Sequence, residues 1–108
     1  MKIKEQEMDC IEAAHGMLMK DPMRHITIQE LAAAVALNRN KLQYGFRKKY
    51  GLSIYEYRLQ MRMQLAASLL KNTDKSIKEI ARLTGYKTIS SFSVAFKRVF
   101  KMAPTHWR

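Results

Sequence analysis

Apolar side chains recur every three or four positions over most of the chain, which is the spacing of one face of an α-helix. Thr27, Ser53 and Ser76 each stand three residues before a glutamate. This is the pattern of a capping box, in which the hydroxyl accepts from the N3 amide and the carboxylate from the cap amide. The pattern predicts an all-α protein of about seven helices, over residues 5–20, 28–35, 39–49, 54–71, 77–83, 89–100 and a short turn from 104.

The sequence also repeats itself at a spacing of about 50 residues. Residues 46–58 align with residues 96–108 at an offset of 50, whereas Leu31 aligns with Ile80 at an offset of 49. The second copy therefore has one extra residue in the turn around residues 85–88. Nothing in the sequence breaks the helix predicted between the copies, so we expect this helix to connect them.

Each copy has a short helix, a turn of three to four residues and a second helix, which is the helix-turn-helix pattern. The second helix of such a motif enters the major groove of DNA. We expect core positions at Leu31, Val35, Leu37, Leu42 and Phe46 in the first copy, and at Ile80, Leu83, Phe92, Phe96 and Val99 in the second. The predicted organisation is an N-terminal helix plus the first motif (1–52), a connector helix (53–72) and the second motif (73–108), together one DNA-binding unit.

The charge distribution agrees with a polyanionic partner. The chain has 20 Lys and Arg against 9 Asp and Glu, a net charge of +11. Residues 31–108 carry 16 bases and three acids, a net charge of +13, so the basic character is concentrated in the two motifs. The first helix holds Glu5, Glu7, Asp9 and Glu12 and is expected to pack on the first motif without contacting DNA, with these acids as a solvated face.

The outward residues of the first recognition helix suit the reading of base edges. Arginine binds guanine O6 and N7 with two donors, and Asn or Gln pairs with adenine in the same bidentate way. The candidates for base contacts are Asn38, Arg39, Asn40, Gln43, Tyr44 and Arg47, of which Asn38 is also the expected helix cap. Lys41, Lys48 and Lys49 are expected to neutralise phosphates, which sets affinity without reading sequence.

The outward residues of the second recognition helix are short or apolar. We expect this helix to read bases weakly, through thymine methyl groups and water, with Ser90, Ser91, Ser93 and Val94. Its anchoring to phosphates is assigned to Lys87, Thr88, Lys97, Arg98 and Lys101. The two copies are thus predicted to share a scaffold but to differ in what they read.

Residues 26–108 resemble the DNA-binding domain of the AraC/XylS regulators. The resemblance is carried by residues 28–32 and 42–53, and most specifically by Ile77 to Ala81, Gly85-Tyr86, Ser91 to Ser93, Phe96 to Phe100, and Pro104 near Trp107. It implies a homeodomain-like, AraC-type fold that binds double-stranded promoter DNA and activates transcription through contacts with RNA polymerase, in the bacterial cytoplasm at the nucleoid. It also implies a larger chain with an N-terminal effector or dimerisation domain, the isolated domain being monomeric.

Three positions depart from the family pattern. Lys101 stands where the family usually has Gly after the recognition helix, Ala103 where a Ser caps the last turn, and Ala36 where Gly is common in the first turn. We expect Lys101 to adopt a positive φ at a cost of about 1 kcal/mol. Helices that enter successive major grooves on one face of DNA lie about 34 Å apart, so we expect the connector to set that distance.

Other functional classes receive little support. His15, His25 and His106 are scattered, Cys10 has no partner for a disulfide, and no paired carboxylates, metal-ligand spacing or Gly-rich phosphate loop is present. We therefore expect no enzyme activity, no metal, no cofactor and no membrane segment. Two alternatives stay open: a nucleic-acid binder without sequence preference, and a basic helical module that binds an acidic protein.

Overall fold

The computed structural model describes residues 1–108 and contains seven α-helices and no β-strand. The helices are α1 (Glu5–Lys20), α2 (Ile28–Ala34), α3 (Arg39–Tyr50), α4 (Ile54–Asn72), α5 (Ile77–Leu83), α6 (Ile89–Phe100) and α7 (Pro104–Trp107). The all-α prediction is confirmed, and each helix begins and ends within one residue of its predicted bounds. The turn between α5 and α6 is one residue longer than that between α2 and α3, as the repeat predicted.

The chain forms two compact units, Met1–Arg58 and Leu59–Arg108, and their boundary falls inside α4. The first unit contains α1, α2, α3 and the first residues of α4. Its buried core consists of Ile11, Ala14, Leu18, Ile26, Leu31, Ala32, Val35, Leu42, Phe46 and Ile54. The second unit contains the rest of α4 with α5, α6 and α7, and its buried core consists of Met63, Ala66, Leu70, Ile80, Ala81, Phe92 and Phe96.

Polar caps fix where the helices begin. Thr27 and Glu30 form a reciprocal capping box at α2, with the Glu30 amide 3.0 Å from Thr27 Oγ1 and the Thr27 amide 3.1 Å from Glu30 Oε1. Ser53 and Glu56 do the same at α4. At α5 the Ser76 hydroxyl accepts from the amide three residues on, but the same hydroxyl donates to the carboxylate, so the box predicted there is only half formed. Each cap satisfies an amide that the helix itself leaves unpaired.

The repeat extends further than the aligned sequence indicated. The buried residues of α1 are Ile11, Ala14 and Leu18, and residues of matching type and spacing, Met63, Ala66 and Leu70, are buried on α4. The offset is 52 residues for all three pairs. Each unit therefore packs a long helix behind a short helix and a recognition helix, and α1 is the counterpart of the second half of α4.

Two arginines at equivalent positions tie down the backbone of each unit. Arg58 donates to the carbonyl oxygens of Ile26 and Arg24, at 2.7 and 3.0 Å. Arg108, exactly 50 residues later in the sequence, donates to the carbonyl oxygens of Leu70 and Thr73, at 3.1 and 3.0 Å. Arg58 thus holds the segment before α2, and Arg108 holds the end of α4 and the residue that follows it. Each guanidinium binds two carbonyls at once, as a planar group with five donors can.

One predicted core position is wrong. Leu83 was placed in the core stripe of the second copy, but its side chain is 47% exposed, whereas the next residue, Thr84, is fully buried. The Thr84 hydroxyl donates to the carbonyl oxygens of Ile80 and Ala81, at 2.8 and 3.1 Å. Since this hydroxyl is satisfied by the preceding helical turn, a threonine occupies the place that Val35 fills in the first copy without a buried unpaired group.

Candidate nucleic-acid interface

Both motifs use the same tight turn. In the first, the Leu37 amide donates to the Ala32 carbonyl at 3.0 Å, and in the second the Tyr86 amide donates to the Ala81 carbonyl at 2.9 Å. The residue before each of these amides has a positive φ, 56° at Ala36 and 92° at Gly85. The first motif therefore forms the same turn with alanine, although a residue with a Cβ is strained in the left-handed conformation.

Backbone conformation explains why the second motif has a glycine at this point, because a φ of 92° strains any residue with a Cβ. A Cβ added to Gly85 would lie 3.4 Å from Cζ of Arg62, whose guanidinium covers the turn. Nε and Nη2 of this arginine are buried and have no hydrogen-bond partner in the structure. The position of Arg62 identifies it as packing against the turn that orients α6.

The first recognition helix, α3, presents its predicted base-contacting residues to solvent. Asn38, Arg39, Asn40, Gln43 and Arg47 are all exposed, and Tyr44 is 37% exposed. Leu42, Gly45 and Phe46 are buried on the opposite side. The Asn38 side-chain oxygen accepts from the Lys41 amide at 2.8 Å, which confirms its prediction as the cap. Contact of these residues with bases stays a prediction.

The second recognition helix, α6, shows a different outward face. Val94 is 71% exposed and Ile89 is 47% exposed, whereas Ser93 is half-buried. Thr88 caps the helix, accepting from the Ser91 amide at 3.1 Å and donating to the Ser91 hydroxyl at 2.8 Å. Because these two hydroxyls bind each other, the apolar side chains are the more available groups of this helix. The other predicted contacts, Ser90, Lys87, Lys97, Arg98 and Lys101, are exposed.

The two recognition helices end in the same left-handed conformation. Gly51 has a φ of 79° and its amide donates to the Arg47 carbonyl, while Lys101 has a φ of 63° and donates to the Lys97 carbonyl, both at 2.8 Å. The positive φ predicted for Lys101 is thus confirmed. Its ammonium group donates to the Arg98 carbonyl at 2.9 Å. At the following helix, Ala103 makes no side-chain cap, in agreement with the missing Ser.

Aromatic side chains support each recognition helix from behind. In the first unit the Tyr57 hydroxyl lies 2.7 Å from His15 Nε2, and the His15 ring stacks on Tyr50 with 4.2 Å between ring centroids. In the second unit Trp107 Nε1 donates to the Ala67 carbonyl at 3.3 Å, and its ring packs against Phe100 with 4.7 Å between centroids. Tyr57 and Trp107 stand at matching positions of the repeat, 50 residues apart, and each packs against the core of its unit.

Two of the lysines assigned to phosphates have carboxylate partners on α1. Lys41 Nζ lies 2.6 Å from Glu7 Oε2, and Lys49 forms an ion pair with Glu12. The hydrogen bond from Lys41, with a second from the Lys4 amide, lowers the pKa of Glu7 below its usual 4.5. The hydrogen bond to Glu12 raises the pKa of Lys49. The sequence placed these acids on a solvated face, which is wrong for Glu7, whose side chain is only 18% exposed.

Other features of the surface are simpler. No group of three or more His, Cys, Asp or Glu side chains is arranged to hold a metal ion. No helix has the length and apolar content needed to cross a membrane. Cys10 is half-buried and packs against the core of the first unit. Lys48 lies with its ammonium 5.8 Å from the centre of the Tyr44 ring, close to the outward face of α3.

Two helix-turn-helix motifs with exposed recognition helices, in a chain of strongly basic net charge, define a DNA-binding domain. The family described as "Helix-turn-helix domain" matches residues 31–108, and the chain belongs to this family in its AraC-type form. Among curated proteins, a putative AraC-like transcription regulator of Streptomyces lividans is 37% identical over 98 residues, which are 91% of this chain and 32% of that protein. The lactose operon transcription activator of Staphylococcus xylosus is 33% identical over 98 residues, 91% of this chain and 35% of that protein.

Solved structures show the same fold. The C-terminal domain of the two-component response regulator yesN from Fusobacterium nucleatum has a TM-score of 0.85 at 26% identity, covering 93% of this chain and 98% of that one. The DNA-binding domain of AdpA, solved in complex with a target DNA, has a TM-score of 0.82 at 20% identity, covering 90% and 87%. The chain spans about a third of the length of the curated relatives described above.

Proposed function

We propose that this chain binds a specific promoter sequence as the DNA-binding part of a bacterial transcription regulator, and that it activates transcription through contacts with RNA polymerase. The observation that carries the proposal is the exposed polar face of α3, where Arg39, Asn40, Gln43 and Arg47 all point away from the core. These are the side chains that discriminate base pairs by bidentate hydrogen bonds. The assignment as an activator is supported by the lactose operon relative.

The two recognition helices make different kinds of contact with DNA in this proposal. α3 reads base edges with Asn38, Arg39, Asn40, Gln43, Tyr44 and Arg47, and it binds phosphates with Lys41, Lys48 and Lys49. α6 contributes apolar contacts to thymine methyl groups from Val94, weaker contacts from Ser90, Ser91 and Ser93, and phosphate contacts from Lys87, Thr88, Lys97, Arg98 and Lys101. The exposure of Val94, at 71%, supports the assignment of a thymine contact.

The proposal places the two helices in successive major grooves, so that the site of one monomer need not be palindromic. The chain acts in the cytoplasm on the nucleoid, without cofactor, metal or catalytic activity, and the isolated domain is monomeric. An effector-binding or dimerisation domain belongs to the remainder of a longer regulator. Hydroxyl-radical footprinting checks the geometry, since it should show protection on one face of the duplex over two adjacent major grooves.

The decisive experiment compares specific with nonspecific binding. A preferred site is first selected from a random duplex library, and Kd is measured for that site and for random duplex at several salt concentrations. We expect the selected site to bind at least about 1000-fold more tightly. Gln43→Ala should reduce this ratio by about tenfold, because one bidentate contact discriminates by roughly 1–3 kcal/mol.

Ser93→Ala is the matched control, since Ser93 stands 50 residues after Gln43 at the equivalent position of the repeat. Its effect on the ratio should stay below about threefold, since a single partly buried hydroxyl makes no bidentate contact. Equal weakening by Gln43→Ala on every sequence favours a nucleic-acid binder without sequence preference. If the chain does not bind duplex DNA even at low salt, the result favours the other alternative, a basic helical module that binds an acidic protein.

A further inference from the structure

The first recognition helix is held against α1 by close packing as well as by charge. Gly45 is the contact point, because a Cβ there would overlap Cδ1 of Ile11 and lie 3.2 Å from its Cγ1. Ile11 is itself completely buried. The Ile11 side chain therefore packs directly on the α3 backbone at Gly45, and the acids that flank Ile11 along α1 come within reach of lysines on α3.

Two ion pairs flank this contact. Glu7 accepts from Lys41 Nζ at 2.6 Å and also from the Lys4 amide at 3.0 Å, so its carboxylate is held by two donors. One turn or so further along α1, Glu12 is paired with Lys49. Lys41 and Lys49 lie eight residues apart on α3, on either side of Gly45. The two ion pairs thus join α1 to α3, one on each side of the contact between Ile11 and Gly45.

The second unit offers an internal comparison. The counterparts of Glu7 and Glu12 at the offset of 52 are Leu59 and Gln64, and the counterparts of the two lysines at the offset of 50 are Ser91 and Val99. None of these four residues is charged. The buried positions of the two long helices match in type and spacing. Leu59 and Val99 pack against the core of the second unit, so apolar packing stands there where the first unit has ion pairs, and the charge pairing is specific to the first unit.

We propose that α1 is an electrostatic brake on the first recognition helix. Glu7 and Glu12 occupy two ammonium groups that otherwise neutralise DNA phosphates, so duplex binding requires these pairs to open or proceeds without their two cations. This inference rests on the proposed function. Phosphate and carboxylate compete for the same donors, and each phosphate neutralised by a lysine adds about 0.9 to the slope of log K against log salt.

The test is the double variant Glu7→Gln/Glu12→Gln, measured for binding to the selected site and to random duplex. Glutamine keeps the size of each side chain and keeps an acceptor for the Lys4 amide. Freeing two cations should tighten binding to both duplexes by about fivefold per cation at 0.15 M salt, as the same counterion-release slope implies. The salt slope should rise by about 2, and the ratio between the two duplexes should stay unchanged.

The control Glu5→Gln/Asp74→Asn changes the net charge by the same amount with two exposed acids. If this control tightens binding and steepens the slope as much, net charge alone is responsible and the brake is refuted. If the wild-type chain binds no duplex DNA, the proposed function itself fails. If the chain binds but Glu7→Gln/Glu12→Gln leaves affinity and slope unchanged, only the brake fails.

A second comparison does not depend on the acidic variants folding. Lys48 is exposed on the same helix and its ammonium lies near the Tyr44 ring instead of a carboxylate. Lys48→Gln should weaken duplex binding by about fivefold at 0.15 M salt. Lys41→Gln and Lys49→Gln should each weaken it by less than about twofold, because opening the ion pair with Glu7 or Glu12 offsets most of what each lysine gains from a phosphate. An equal loss for all three lysines overturns the proposal.

Discussion

The Gly45 contact predicts a specific coupling between α1 and α3. Alanine at this helical position gains up to about 1 kcal/mol over glycine in intrinsic helix propensity. The new Cβ, however, overlaps Cδ1 of Ile11, and because Ile11 is fully buried this methyl group has to shift within the core and not into solvent. Overpacking of this kind costs roughly 1–3 kcal/mol. We therefore expect Gly45→Ala to lower the free energy of unfolding by about 1–2 kcal/mol.

Removing the overlapping methyl group should reverse this loss. Ile11→Val alone should cost about 1 kcal/mol through the cavity it leaves. In the Gly45→Ala background the same change removes the overlap, so the double variant should unfold close to the wild-type free energy, a coupling of about 2–3 kcal/mol. Urea denaturation followed by far-UV circular dichroism measures all four chains. If the two single losses simply add, to within about 0.5 kcal/mol, the contact does not limit packing and our reasoning is refuted.

Two further predictions concern charge and backbone conformation. Lys101→Gly should raise the free energy of unfolding by about 1 kcal/mol, because φ is 63° there and glycine adopts this region without strain. Gly51→Ala should lower it by a similar amount, and thermal unfolding measures both variants. A Lys101→Gly chain that is no more stable than wild type contradicts the argument. Glu7 has a lowered pKa because Lys41 donates to it, so the folded state binds this proton less readily than the unfolded state. Its contribution to stability is present above the ordinary value of 4.5 and is lost as the pH falls through the lower pKa of the folded chain. Glu7→Gln should flatten the decline of stability with pH in that acidic range, and an unchanged profile argues against the ion pair.

The helix bounds could be predicted because the signals that set them are local. Thr27 and Ser53 each bind a glutamate three residues away, and a capping residue needs no information from the rest of the fold. The positive φ of Lys101 is implied by the resemblance, because the family usually has Gly at this position, and the repeat aligns it with Gly51, which has a positive φ as well. Local chemistry and internal alignment together account for the architecture of each unit.

Which residue is buried was harder to predict from the sequence where the outcome depends on tertiary packing. Leu83 and Thr84 both fit the apolar period at the end of α5, and because leucine is the more hydrophobic residue, hydropathy predicts Leu83 as the buried one. The structure buries the threonine because its hydroxyl is satisfied by carbonyls of its own helix, a possibility that a hydropathy pattern does not express. The alignment of the two copies does predict the burial of Thr84, since this residue aligns with the buried Val35 at the offset of 49.

The ion pair between Glu7 and Lys41 joins residues 34 positions apart, and no spacing rule predicts such a contact. Its signal lies instead in the comparison of the two copies. Fully buried positions of α1 and α4 match because each helix fills the same kind of space behind a recognition helix, whereas partly buried positions such as Glu7 and its counterpart Leu59 differ. A pair of acids found on one copy, opposite lysines found on the same copy, is therefore the kind of difference that packing does not require. Charge differences between copies of a repeat point to functional differences more directly than the absolute charge of either copy, because the shared scaffold removes the structural contribution from the comparison.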